Sequence, residues 1–124
     1  VVFLGGPGDV PLEAELARCK RRPLRSLIGR TNLQEAMAVV ARSAVHVCGD
    51  TGTAHIAAAL RVPVVSLYGP TSPDRTGPYG QRARALTKRA LCTACPADRC
   101  VRKECLQWIT VDEVLTAIGT VLGK

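Results

Sequence analysis

Asp50-Thr51-Gly52-Thr53-Ala54-His55 is the segment whose residue types are best suited to chemistry. It follows an expected strand at residues 45–48 and leads into an Ala-rich stretch ending near Leu60, which reads as strand, turn and helix start. Gly52 lets the chain turn sharply and has no side chain to stand between a ligand and the backbone. A helix beginning here presents free N–H groups and a positive dipole end, which together bind anions such as phosphate. Thr51 and Thr53 add hydroxyl donors, and His55 falls in the first turn. Asp50 would repel a phosphate, so it suits a helix cap or a sugar hydroxyl. The same residues also describe an ordinary capped helix with a satisfied histidine, and spacing alone leaves both readings open.

A second candidate is Gly5-Gly6-Pro7-Gly8-Asp9, after the apolar run at residues 1–4. Its glycines allow close approach of a ligand to the backbone, and Asp9 can accept from both hydroxyls of a ribose. The spacing is not the G-x-G-x-x-G dinucleotide fingerprint. A capped helix start explains it equally well. The third is Cys92-x2-Cys95-x4-Cys100-x4-Cys105. Four thiolates can form a structural zinc site, but the second half lacks the C-x2-C spacing. Reduced thiols packing a loop–helix connection are the alternative, and the one expected here. Cys19 and Cys48 fall on core-facing patterns.

The elements that must position these residues alternate. Strands are expected at residues 1–4, 24–28, 45–48 and 63–68, with Pro63 at a first strand position, where proline is tolerated. Between them lie a helix carrying Leu12, Leu16 and Cys19, and another opened by an Asn32/Glu35 capping box with Leu33, Met37, Val40 and Ala41 as its buried stripe. Thr110 and Glu113 form a second capping box for a closing helix with Val114, Leu115, Ile118, Val121 and Leu122 on its apolar face. Residues 82–89 are ambiguous. This alternation implies an α/β, Rossmann-like, doubly wound parallel sheet with flanking helices, whose ligands sit beyond the carboxyl ends of the strands.

Composition agrees. The 124 residues make about one domain, and a hydrophobic fraction of 47% is ample for a core. Aromatics are only 3%, so Val, Leu, Ile and Ala must build that core. The chain opens on Val1 in an apolar strand pattern and reads as a piece of something longer. It shows neither a signal-peptide pattern nor an apolar run near the ~20 residues that span a bilayer. Lys and Arg total 17 against 10 Asp and Glu, a net charge of +7. The surplus is compatible with phosphates, nucleic acid or an anionic surface, or with a merely solvated face. Its two clusters, residues 18–30 and 82–103, lack the interleaved aromatics of a single-strand platform.

Taken together, the run from Gly49 through Leu60 and then Pro63-Val64-Val65-Ser66-Leu67-Tyr68-Gly69-Pro70-Thr71-Ser72-Pro73 resembles the signature of the bacterial heptosyltransferases, glycosyltransferase family 9. The resemblance implies a two-lobed GT-B fold of which residues 1–124 form the C-terminal, donor-binding lobe, the acceptor lobe being absent. It implies ADP-heptose as donor, a Kdo or heptose of the lipopolysaccharide inner core as acceptor, no cofactor, no nucleic-acid partner, and a cytoplasmic location with room for peripheral contact at the inner membrane. By the same resemblance Asp9 holds the adenosine ribose and Thr31 lines the adenine pocket. Asp50, Thr51, Gly52 and His55, with the Thr53 hydroxyl beside them, surround the diphosphate and heptose. Arg61 departs from the pattern, which often has glycine there, so the local loop shape is in question. The family's catalytic base belongs to the absent lobe, and no residue of this chain is expected to be catalytic. An inverting transfer needs that base on the acceptor hydroxyl and stabilisation of the departing diphosphate; this lobe supplies the second. Two other functions stay open: a similar fold using a UDP-sugar, as a glycosyltransferase or epimerase, and a basic nucleic-acid module with a zinc knuckle.

Overall fold

The computed structural model describes residues 1–18, 25–92 and 100–123; Cys19, Leu24 and Cys95 lie outside them. The chain divides into two compact units, residues 1–39 and 40–124.

In the first unit β1 (Val2–Phe3) pairs in parallel with β2 (Arg25–Ser26). Backbone bonds from Leu27 N to Phe3 O and from Gly29 N to Gly5 O, both 2.9 Å, carry the pairing past the formal strand ends. Between them a 3₁₀ turn at Pro7–Asp9 leads into α1 (Val10–Arg18). Gly29 takes a φ of +68°, and a Cβ there would lie 2.7 Å from Val10 Cγ2, so only glycine lets the chain pass beneath this helix start. Helix α2 (Leu33–Ala41) starts where the capping box placed it. Asn32 N donates to Glu35 Oε2 at 2.8 Å, and Glu35 N donates to Asn32 Oδ1 at 2.9 Å.

The second unit is built on a three-stranded parallel sheet ordered β3 (His46–Cys48), β4 (Val64–Tyr68), β5 (Ala85–Thr87). Val64, Val65, Ser66 and Tyr68 of the central strand are fully buried, which accounts for its continuous apolar pattern. Gln81 anchors the strand's start: its Oε1 accepts from Val64 N at 2.7 Å, and its Nε2 donates to Val62 O at 2.9 Å. Helix α3 (Gly52–Ala59) connects β3 to β4 and buries Ala54 and Ala57; alanine is small enough for close helix–sheet contact. After β4 come α4 (Pro73–Thr76) and β5, then α5 (Glu104–Gln107) and α6 (Val111–Leu122).

Among the described residues all pairing is parallel, as the alternation of elements implies, but it is divided between two sheets. Residues 82–89 resolve into a 3₁₀ turn and β5. The expected buried stripes are only partly buried. In α2, Val40 is 1% exposed but Leu33 is 64% exposed; in α6, Leu115 is 59% exposed while Val114, Ile118 and Val121 are half-buried. Helical periodicity marks the apolar face without fixing what covers it.

Candidate functional site

The turn leaving β3 carries most of the candidate residues. Thr51, with extended backbone (φ −141°, ψ 161°), occupies the N-cap of α3, and no side chain caps that helix. This corrects the assignment of Asp50 as a cap. The Asp50 carboxylate is held elsewhere, its Oδ2 accepting from Thr76 Oγ1 at 3.0 Å. Thr76 closes α4, and its carbonyl accepts from the buried Tyr68 hydroxyl at 3.0 Å. The two turns that follow β3 and β4 are thus tied through one threonine. Gly77, next in the chain, is required for packing: a Cβ there would sit 2.2 Å from Pro73 O. Burial and then the Asp50 charge raise the Tyr68 phenol, which stays neutral and a donor.

Gly52 also differs from expectation. It is the first residue of α3 and is not among the glycines with positive φ, so the turn does not need its conformational freedom. A Cβ there would meet nothing within 4 Å. Gly52 leaves the space over the helix start open.

The threonine hydroxyls form a chain. Thr51 Oγ1 lies 3.0 Å from Thr53 Oγ1, which lies 3.1 Å from His46 Nε2. His46 was absent from the sequence-based site. Alternation along β3 places it on the same face as Cys48, two residues nearer the Asp50 turn. Burial lowers the His46 pKa, so the ring is neutral at pH 7. Burial pushes the Cys48 thiol up to about 11, against the lowering effect of a Thr51 hydrogen bond. Cys48 therefore stays protonated and is a poor nucleophile. His55, the fourth residue of α3, is exposed.

Within the first unit, Asp9 uses one carboxylate oxygen to close its own turn. Oδ2 accepts from Gly6 N at 2.8 Å while Asp9 N donates to Gly6 O at 3.0 Å. Gly5 makes room for this, since a Cβ there would lie 2.9 Å from Asp9 Oδ2. Asp9 is exposed, and its carboxyl oxygens keep further lone pairs for a ligand. Thr31 is half-buried immediately before the α2 cap.

Cys105 is buried on α5, and Cys92 and Cys100 are half-buried. Cys100 Sγ accepts from Lys103 N at 3.4 Å. Among the described residues no three His, Cys, Asp or Glu side chains are grouped to hold a metal. A cleft of about 430 Å³ opens near Ser72, Asp74, Thr87, Arg89 and Cys92. No residue assigned to donor binding lines it.

Parallel sheets, flanking helices and a hydroxyl-rich turn beyond a strand end define a Rossmann-like unit of the C-terminal part of the GT-B fold. The chain belongs to glycosyltransferase family 9 (heptosyltransferase), whose model matches residues 1–106. Lipooligosaccharide heptosyltransferase 2 of Haemophilus influenzae is 39% identical over 90 residues, covering 69% of this chain and 26% of that protein. Lipopolysaccharide heptosyltransferase 2 of Escherichia coli is 45% identical over 62 residues, covering 50% of this chain and 18% of that one. The structure of E. coli ADP-heptose lps heptosyltransferase II superposes with a TM-score of 0.79 at 32% identity, over 98% of this chain and 36% of that chain. A family 9 glycosyltransferase from Veillonella parvula shares the fold, with a TM-score of 0.78 at 24% identity. The chain matches about a quarter of the length of the H. influenzae relative. Among the described residues no helix is long and apolar enough to cross a membrane.

Proposed function

We propose that this chain is the donor-binding part of a cytoplasmic heptosyltransferase that moves heptose from ADP-heptose to the lipopolysaccharide inner core. The observation that carries the reading is the α3 start. Its N–H groups have no side-chain cap, Gly52 leaves them open, and two threonine hydroxyls stand beside them, in a chain of this family. Such a helix end stabilises the negative charge that gathers on a departing diphosphate. Asp50, steered away from the helix start by Thr76, is placed to accept from sugar hydroxyls. Asp9 and Thr31 serve the ribose and adenine of the same donor. The base that deprotonates the acceptor is supplied from outside this chain. Acceptor recognition, and any peripheral contact with the inner membrane, falls to the rest of the enzyme.

A thermal-shift panel of ADP, UDP and GDP tests the donor. ADP should raise the melting temperature most, because a ligand that binds only the folded state stabilises it by mass action. Equal shifts for all three would leave the diphosphate grip standing but remove the adenine preference. A UDP preference would replace the ADP-sugar donor with a UDP-sugar.

A further inference from the structure

The threonines of the Asp50 turn form a hydrogen-bonded line that ends on a histidine, and the protons on that line can be counted. Two contacts must each hold one proton: His46 Nε2 to Thr53 Oγ1, and Thr53 Oγ1 to Thr51 Oγ1. Each hydroxyl brings one proton. Suppose Nε2 is bare. Thr53 must then give its proton to the ring and Thr51 must give its own to Thr53, leaving only lone pairs facing outward. Neither hydroxyl could then donate to an anion, which would meet only the α3 N–H groups beside two lone-pair-bearing oxygens. Suppose instead that Nε2 carries the proton. The histidine then fills the first contact, either threonine fills the second, and one hydroxyl proton is left over. Cys48 is protonated beside Thr51, and with its S–H donating to Thr51 Oγ1 that contact brings its own proton and the count is unchanged.

We propose that His46 is a positioning residue that carries its proton on Nε2 and donates it to Thr53, freeing one threonine hydroxyl to donate to an anionic ligand at the α3 start. The inference rests on the reading of that turn as a diphosphate grip, and it adds a residue outside the donor motif. His46 reaches the ligand only through Thr53. Its place on β3, three residues before Gly49, lets the sheet hold the ring while the turn carries the hydroxyls. Because the ring is neutral at pH 7, the choice of tautomer decides whether a threonine hydroxyl of the turn is free to donate.

Two measurements test it. Long-range ¹⁵N–¹H correlation spectra of the unliganded protein report which ring nitrogen of His46 is protonated. Nε2 protonated is expected; Nδ1 protonated with Nε2 bare overturns the proposal whatever the turn binds. The second measurement is titration with inorganic pyrophosphate. His46→Gln keeps an N–H donor at similar reach and should bind within about threefold of wild type. His46→Leu keeps bulk without a donor and should bind about ten- to a hundredfold more weakly, the worth of one hydrogen bond to a charged group. A folded His46→Leu protein that binds like wild type overturns the proposal; should that variant fail to fold, a tenfold loss in folded His46→Gln does so equally. Wild-type protein that binds neither pyrophosphate nor ADP would instead remove the diphosphate reading, and with it the ligand half of the proposal.

Discussion

Thr76 Oγ1 donates to Asp50 Oδ2 at 3.0 Å across 26 residues of sequence, and the same hydroxyl lies 3.2 Å from Ser72 O. One proton therefore has two acceptors, and the carboxylate is the stronger. The bond draws Asp50 towards α4 and leaves the start of α3 to other ligands. Thr76→Val keeps the shape and deletes the donor. It should lower stability by about 1 kcal/mol in urea unfolding, below the roughly 1.5–3 kcal/mol of a bond to a charged group, because this one is exposed. Thr76→Ser should restore it. The Val variant should also bind ADP-heptose more weakly while binding ADP nearly normally, since Asp50 is assigned to the sugar. Equal losses for both ligands would show that Thr76 supports the whole turn and not the carboxylate alone.

Acid should act through Glu113. Its side chain takes a hydrogen bond from Lys88 and bonds from Thr110 N and Thr110 Oγ1, at 2.9 and 3.0 Å. The Lys88 bond first, then the Thr110 backbone, hold the carboxyl at about 2 against an ordinary 4.5. A depressed carboxyl adds stability above the unfolded value, and that stability is lost as pH falls from about 4.5 towards 2. Glu113→Gln should flatten the melting temperature across that window and leave the curve above it parallel to wild type. Lys88→Met should shift the loss to higher pH. A wild-type profile that stays flat between those values would sink the assignment.

The α2 and α6 capping boxes were legible because they join residues three apart, and the strands before both candidate turns were legible from the apolar run at residues 1–4 and the valines of residues 45–48. Relationships between distant segments were not. Nothing local marks Ala85-Leu86-Thr87 as a strand; it forms because Ser66, Leu67 and Tyr68 of β4 offer it a parallel edge. Thr76 and Asp50 meet only after β3 and β4 pair. His46 left a faint signal, a polar residue two before Cys48 in an alternating strand, but its partner Thr53 lies seven residues on. Glycine at position 52 was read correctly as open space and wrongly as a sharp turn, because residue type does not report φ.

Arg61 makes a stability prediction. It ends α3 with φ +59°, a left-handed conformation that costs an L side chain roughly 1–2 kcal/mol. The motif around it is a Schellman cap: Arg61 N donates to Ala58 O at 3.0 Å and Val62 N to Ala57 O at 2.9 Å. The position is one that glycine fills without strain, as the family pattern implies. Arg61→Gly should stabilise the protein by about 0.5–1 kcal/mol, the relieved strain less the extra entropy glycine loses on folding. Arg61→Ala should gain little, because the left-handed backbone remains. Chemical denaturation of the three proteins gives the comparison.

The α3 start can be tested by two substitutions that should leave the fold intact. Gly52 has ordinary helical geometry, and a Cβ added there would meet nothing within 4 Å. Gly52→Val therefore changes little in the empty protein beyond a few tenths of a kcal/mol of helix propensity. It does place two methyl groups where a phosphate would approach the N–H groups. ADP affinity should fall at least tenfold with the melting temperature within a few degrees of wild type. His55 is exposed, so His55→Ala removes no core packing. If the imidazole donates to the diphosphate, its loss costs about 1.5–3 kcal/mol, or roughly ten- to a hundredfold in ADP affinity. Asp9→Ala separates the two ends of the donor: ADP should weaken while pyrophosphate holds, because Asp9 is assigned to the ribose. Calorimetric titration of each variant, with circular dichroism as the fold control, reads all three. Should folded Gly52→Val and His55→Ala proteins bind ADP like wild type, the turn is a helix start and nothing more, and the donor sits elsewhere.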